Sequence, residues 1–296
     1  FSRDVALQLE SKKDIRRRLK ISPDDADALA ITFAEPWLEE AMRPALECEA
    51  AALATSKKTT NSEGAAVSAP QSHFSSAHTH GFRGGYASSR HSMSVSPIAG
   101  KGKDMQRDSW YSSMRHPDAL ASPQAIGRYA AERALSRLKA RKIATLECPV
   151  LFESPLAAGL VGGLVQALSG GAMYRKSTFL LDSLDKIVLP KHIDMLEDPF
   201  LPRGKGSSPF DDEGVSVRPR QVIEGGRVKG YFLSSYTARK LGMQTTGNSG
   251  GSHNLTFTSR QTRASDDLDA MLQKLGTGLF VTELMGQGVN YVTGDY

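Results

Sequence analysis

Between Ser154 and Tyr174 the chain runs for twenty-one residues without a charge (SPLAAGLVGGLVQALSGGAMY), and any fold must find a place for that stretch. A membrane-spanning helix needs about 20 predominantly apolar residues. Here five glycines, two serines and Gln166 dilute the apolar content. The segment is therefore expected to be a helix buried inside a globular protein, with no membrane association.

The signals around it come in runs. Ser22-Pro23-Asp24-Asp25 is a helix start, with Ser as N-cap and Pro at the first helical position. It predicts a short helix over Ala26 to Phe33 that Pro36 closes. Trp37 to Thr55, rich in Ala and Glu, is expected to be helical on either side of Pro44, and Asn61-Ser62-Glu63-Gly64 is expected to be a turn. From Ala65 to Ser113 the composition shifts to Ser, Gly and His, and Met93 and Val95 alternate with Ser92, Ser94 and Ser96. That period of two predicts antiparallel strands with one solvated face. Ser122-Pro123 opens a helix whose Ile126, Tyr129, Ala130, Ala134 and Leu138 share a face.

Val150 to Phe152 then reads as a strand. Gln221 to Leu233 reads as a hairpin turning at Gly225-Gly226. Leu268, Met271, Leu272 and Leu275 form a helix stripe closed by Gly276, and Leu279 to Met285 returns to strand. Strands cluster instead of alternating with helices, so the fold class is α+β and rich in antiparallel sheet. The expected division is a basic leader over residues 1–36, a middle α+β domain over 37–144 and a β-rich C-terminal domain over 145–296.

The formal charge is +5, but the first twenty residues hold seven basic against three acidic side chains, which leaves a net of only +1 for the rest. A basic face across the whole protein is not indicated, which argues against a general nucleic-acid surface. Cys48 and Cys148 lie far apart without C-x-x-C spacing; a disulfide between them is open in principle, but two lone thiols in a chain of this size are expected to be buried in a reducing cytoplasm.

Several motifs invite chemistry. Gly247-Asn248-Ser249-Gly250-Gly251 matches G-x-S-x-G, the pattern of a serine-hydrolase elbow, but it lacks a buried strand before it and a helix after it. His73, His78 and His80 cluster, yet on a strand His78 and His80 share a face while His73 points away, and no acid completes a ligand set. Gly170 to Thr178 ends in Lys176-Ser177, but Arg175 stands where a phosphate loop needs glycine. Gly276-Thr277-Gly278 and Gly286-Gln287-Gly288 are too short for a dinucleotide fingerprint. The acids at Asp211-Asp212-Glu213 and Asp266-Asp267 sit where turns and helix starts favour them. None of the seven histidines is followed by Glu, so no H-E-x-x-H helix is present.

From about Leu46 onward the chain resembles the TldD/PmbA family, and within it the PmbA (TldE) branch. The resemblance rests on Thr60-Asn61-Ser62-Glu63-Gly64, Ser89-Arg90-His91-Ser92, Leu135-Ser136-Arg137-Leu138, Tyr174-Arg175-Lys176-Ser177-Thr178, Ser208-Pro209-Phe210-Asp211, Ser235-Tyr236-Thr237-Ala238-Arg239-Lys240-Leu241-Gly242 and Thr282-Glu283-Leu284-Met285-Gly286-Gln287-Gly288. It breaks off at Thr293 to Tyr296, so the C-terminal domain is expected to be incomplete. Residues 1–36 do not fit it. Lys12 to Arg16 and Ser22 to Ala30 resemble instead the C-terminal tail of a phage terminase large subunit.

The resemblance implies a cytoplasmic zinc metallopeptidase built as a heterodimer, acting on unfolded or modified peptides. In the TldD branch a helix carries H-E-x-x-x-H. Aligned by the shared Arg175-Lys176, its histidines fall at Gly162 and Ala167 and its glutamate at Gly163. Those residues hold no metal and move no proton, so this chain is expected to contribute no catalytic, cofactor-binding or metal-binding residue. The same register accounts for the uncharged helix as one stripped of its ligands and packed dry. Zinc is expected on a TldD-like partner, with a peptide as substrate. PmbA-like members commonly carry Ala at the position of Ser249, which weakens the hydrolase reading. The alternatives are a nucleic-acid-associated phage protein, from the leader, and a serine hydrolase at Ser249.

Overall fold

The computed structural model describes residues 36–286 and 288–295. The leader helix and the terminase-like motif lie outside the described residues. In chain order, helix α1 (Pro36–Ala54) leads into strands β1 (Thr59–Ser68), β2 (Gln71–Ala77), β3 (Arg83–Ser89), β4 (His91–Ala99), β5 (Gln106–Arg107) and β6 (Trp110–Met114), and then helix α2 (Pro123–Ser136). After these come β7 (Val150–Phe152), α3 (Ser154–Ala167), α4 (Gly170–Tyr174), β8 (Ile193–Asp198), β9 (Arg220–Glu224), β10 (Arg227–Val228), α5 (Ser235–Lys240), β11 (Asn254–Ser259), α6 (Leu268–Leu275) and β12 (Leu279–Val281). The α+β class and the dominance of antiparallel pairing agree with the sequence.

The chain divides into two compact units. One comprises the described residues through Ala69 with His91–Ser113 and Pro117–Ala140, and the other Pro70–Arg90, Met114–His116 and the described residues from Arg141. In the first, β4 is the central strand, flanked by β1 and β5 and also paired with β6. Its alternation is the expected one, with Met93, Val95 and Ala99 buried. Met93 and Val95 meet Cys48 and Ala52 from α1 and Ile126, Ala130 and Ala131 from α2. Helix α2 begins where the sequence places it, with the Ser122 hydroxyl accepting from Ala125 N at 3.2 Å.

Two details of this unit depart from expectation. Asn61 to Gly64 do not reverse the chain but lie inside β1. Ser62 pairs with Pro97 and Ala65 with Val95, so three steps on β1 match two on β4. This is a β-bulge, and Gly64 at φ +117° absorbs the extra residue. Helix α1, in turn, starts at Pro36 and runs on through Pro44, giving up only the hydrogen bond for which proline has no N–H.

In the second unit the sheet order is β10-β9-β8-β11. Met195, Val222 and Ile223 of this sheet share one core with Leu168, Phe232 and Leu233. The β9–β10 hairpin turns at Gly225 and Gly226, with φ of +55° and +75°. Ribbon β2–β3 carries Phe74, Phe82 and Tyr86, whose rings surround Phe210 at 6.2, 4.9 and 5.6 Å. Helix α6 ends at Gly276 as expected, with φ +58°.

The predicted strand from Leu279 to Met285 shrinks to Leu279–Val281, which pairs in parallel with β7. Among the described residues, no strand continues that ladder past Val281. The uncharged segment is helical, but the expectation of burial and dry packing is wrong for most of it. Only Ala167 of α3 is buried, while Ala158, Gly159 and Gly162 are exposed. Helix α3 rests on the core through the half-buried Val161, Leu164 and Val165 and enters it at Ala167, and its outward face at Ala158, Gly159 and Gly162 is built of residues too small to need cover. Among the described residues, no helix is long and apolar enough to cross a membrane.

The first unit depends on a bare backbone at Gly127, where a Cβ would lie 2.2 Å from the Cys48 carbonyl oxygen and 2.9 Å from Ala52 N. Gly127→Ala is expected to force α1 and α2 apart and to cost about 2 kcal/mol, read as a lower denaturant midpoint with an unchanged slope.

Candidate functional site

In strand β8, Ile193, Met195 and Glu197 share a face by the period-two rule. Met195 is fully buried, and Glu197 beside it is 1% exposed. A carboxylate on the core side of a sheet must be satisfied by donors, and Arg220, Asn248 and His253 supply them. Arg220 Nε donates to Glu197 Oε2 at 2.7 Å. Asn248 Nδ2 donates to Oε1 at 2.7 Å and the His253 backbone N–H at 2.9 Å. The imidazole Nδ1 of His253 lies 3.1 Å from the same oxygen. Because an ionised carboxylate only accepts, Nδ1 is the protonated ring nitrogen.

Burial pushes the Glu197 carboxyl up, but the hydrogen bonds from His253 and Asn248 and the charge of Arg220 outweigh it and hold it below the usual carboxylate range. Burial likewise lowers the Arg220 guanidinium, against the opposing pull of Glu197. Guanidinium starts so high that it keeps its proton, and the pair is ionised. Arg220 also lies over the Phe232 ring, 5.0 Å from its centroid.

This network anchors the loop Gly247–Gly251, which borders a polar cleft of about 210 Å³ lined by Arg115, Lys205, Asp212, Ser249, Ser252 and His253 among others. Arg115 holds the cleft wall by donating to the carbonyls of Ser89 and Lys205 at 3.1 and 2.6 Å. Ser249 therefore shares a cleft with a histidine bonded to a carboxylate. The elbow itself is absent: the loop follows irregular chain and leads into β11, with no helix behind the serine. Asp211 holds the Ser249 backbone N–H at 3.0 Å.

The other candidates take structural places. Asp211 accepts from the N–H groups of Glu213 and Val215 at 3.0 and 2.9 Å, and Glu213 accepts from Ser235 N at 2.8 Å at the start of α5. Asp267 caps α6 through Ala270 N at 2.8 Å, and Asp266 pairs with Lys274. His78 and His80 lie in the turn after β2, not on a strand, with ring centroids 5.2 Å apart and ring planes tilted by 43°, and His78 Nε2 bonds the Ser76 hydroxyl at 3.0 Å. Gly170 fits no phosphate, since a Cβ there would strike Thr237 Oγ1 at 2.4 Å. Cys48 is buried and its thiol is pushed up to about 11 by that burial, which leaves it unreactive.

The positions aligned with a zinc helix lie apart from the polar cleft on α3. Gly162 faces open space, Gly163 approaches only Val289 at 3.9 Å, and Ala167 is in the core. None has an atom that binds a metal, so zinc does not fit here. Among the described residues no group of three or more His, Cys, Asp or Glu side chains is placed to hold a metal ion. Beside α3 runs an apolar groove of about 570 Å³ lined by Leu160, Leu164, Phe179, Leu189 and Phe257 among others.

The family models for the PmbA/TldA metallopeptidase central domain and C-terminal domain match residues 31–138 and 145–296. The chain belongs to the PmbA/TldD family. It is 44% identical to metalloprotease PmbA of Escherichia coli O157:H7, over 99% of this chain and 67% of that protein. It is 40% identical to a PmbA homologue of Haemophilus influenzae, over 93% of this chain and 63% of that one. The Escherichia match leaves only a few residues unaligned, so it extends into the leader that the motifs set apart.

Solved structures of the same fold include a candidate modulator of DNA gyrase from Bacteroides thetaiotaomicron, at TM-score 0.78 and 22% identity over 99% of this chain and 65% of that one. TldE from Thermococcus kodakarensis matches at TM-score 0.69 and 21% identity over 87% of this chain and 59% of that one. The chain spans about two thirds or less of the length of these relatives.

In this family fold, Glu197 is the residue that the motif search overlooked. Its signal was a glutamate in phase with Ile193 and Met195 along one strand face. Its ionised form is favoured by folding. Its contribution is therefore complete above the unfolded carboxyl pKa of about 4.3 and is lost as pH falls through the depressed folded value. Glu197→Gln is expected to cost about 3 to 5 kcal/mol at neutral pH, because it leaves Arg220 buried without its counter-charge. It is also expected to flatten the acid limb of stability, both read from urea unfolding at pH 7 and at acid pH. An active-site-directed serine reagent is expected to leave the wild-type chain and Ser249→Ala equally unlabelled; modification that depends on Ser249 would restore the hydrolase reading.

Proposed function

We propose that this chain is the metal-free subunit of a TldD/TldE-type zinc metallopeptidase complex that acts in the cytoplasm on unfolded or modified peptides. The reading rests above all on the side chains of α3. Membership of the family is shown, and the positions aligned with the zinc-binding helix hold Gly162, Gly163 and Ala167. A TldD-like partner would hold the zinc, which polarises the scissile carbonyl and activates water, and would carry the glutamate that takes the proton. In this reading residues 37–144 form the middle domain and 145–296 the C-terminal domain, which meets the partner and lines the peptide path.

The surface of the second unit supports a peptide ligand. Strand β11 is an edge strand of its sheet. It follows directly from His253 of the polar cleft, and its Phe257 lines the apolar groove. An extended peptide could pair its backbone with that edge and place alternate side chains in the flanking depressions.

Copurification with the TldD-like chain, followed by zinc analysis of each separated subunit, tests the proposal. Stoichiometric zinc is expected on the partner and none on this chain. Stoichiometric zinc on this chain alone would overturn it.

A further inference from the structure

Helices α4 and α5 pack closely because Gly170 leaves room for Thr237, with Met173 and Ala238 buried beneath. Their outer surface is of a different kind. Tyr174 and Tyr236 stand 41% and 50% exposed with rings edge to face, centroids 6.1 Å apart. Lys240 Nζ bridges them, 5.5 Å from one centroid and 5.6 Å from the other. Arg175 and Lys176 follow α4 directly, and Arg239 lies one turn from Tyr236 on the same face of α5; all three are exposed. Among the described residues, no carboxylate pairs with any of these four cations.

We infer that the face formed by Tyr174, Tyr236, Lys240, Arg175 and Arg239 is a docking surface for an acidic segment of a partner protein. This rests on the proposal above and identifies the partner segment as one from the TldD-like chain. Cations at the last turn of a helix complement its dipole, which explains Arg239 and Lys240 singly. It does not explain two half-exposed tyrosines held in contact by an ammonium. Tyrosine and arginine are the residues enriched at interface centres, and unpaired cations call for carboxylates on the other side.

A nucleic acid is the weaker fit. Bases stack on open aromatic faces, whereas both rings here are already engaged by Lys240. The helices have five and six residues, so the cationic stripe is about 10 Å long and would span only about three phosphates of one strand at about 3.4 Å each.

The test titrates the full chain with the TldD-like chain of the same organism at low and at physiological salt, with a single-stranded oligonucleotide as the second probe. R239E/K240E is expected to weaken binding of the partner by about tenfold or more and to flatten its salt dependence. Y236A should weaken it comparably at both salt concentrations. All these side chains are exposed, and an unchanged melting temperature would establish that the variants fold; R239Q/K240Q serves as the milder pair and should fall between.

Wild-type binding that none of these variants alters would overturn the inference while leaving the subunit proposal standing. No binding by the wild type would overturn both. Tighter binding of the oligonucleotide, lost in the same variants, would assign the face to nucleic acid instead.

Discussion

A carboxylate facing the core of a sheet governs the second unit. Glu197 lies directly across from Arg220 in the β8–β9 ladder, and that opposition depends on an irregularity. Met195 pairs with Ile223, but Leu196 pairs with Gln221, so β9 holds one extra residue at this point. Without the bulge, regular antiparallel pairing would set Glu197 opposite Gln221, and the guanidinium would point to the other face. The bulge also explains why Val222 and Ile223, neighbours in sequence, are both buried. One extra residue thus converts a destabilising buried charge into a bonded pair.

The remaining acceptor sites of Glu197 fix the loop that follows. Asn248 and His253 both reach Oε1, and Asn248 Oδ1 accepts from Arg220 at 3.2 Å and from the Thr246 hydroxyl at 2.7 Å. A loop with Gly247, Gly250 and Gly251 all at positive φ would otherwise lose much conformational entropy on ordering. Here charge-assisted hydrogen bonds offset that loss. The cleft wall and the start of edge strand β11 are therefore consequences of one buried charge, and Ser249 occupies its place because its neighbours are pinned, with no reactive geometry required.

What was legible in the sequence follows from the range of the forces involved. Helix α2, the alternation of β4, the Gly225-Gly226 turn and the Gly276 stop are set by local spacing and backbone preference, and each was readable. The Asn61–Gly64 segment was misread because a glycine at positive φ serves a bulge as well as a turn, and only the strand opposite decides which. The exposure of α3 was misread because an uncharged composition excludes little: alanine and glycine cost almost nothing to leave in water. Family membership was readable because it is spread over many short motifs. Glu197 was overlooked because its partners come from Arg220, Asn248 and His253, and no single window contains the network.

Helix α3 raises the question of how so glycine-rich a segment stays helical while half exposed. Gly159, Gly162 and Gly163 each cost about 1 kcal/mol relative to alanine in a helix interior, and the middle of the helix is only half buried, through Val161, Leu164 and Val165. The ends hold it. Pro155 lies in the first turn, where its fixed φ suits a helix start, and Glu153 N donates to the Val281 carbonyl at 3.0 Å, tying the entry to β12. At the other end the Thr178 hydroxyl donates to the Ala167 carbonyl at 2.7 Å. Leu168 is fully buried, and Ser169 bridges to Phe232. A helix clamped at both ends tolerates a weak middle, because unwinding the middle alone would break hydrogen bonds without freeing the chain. The same arrangement lets outward positions such as Gly159 and Gly162 vary without disturbing the core, whereas Ala167 is fixed by its burial.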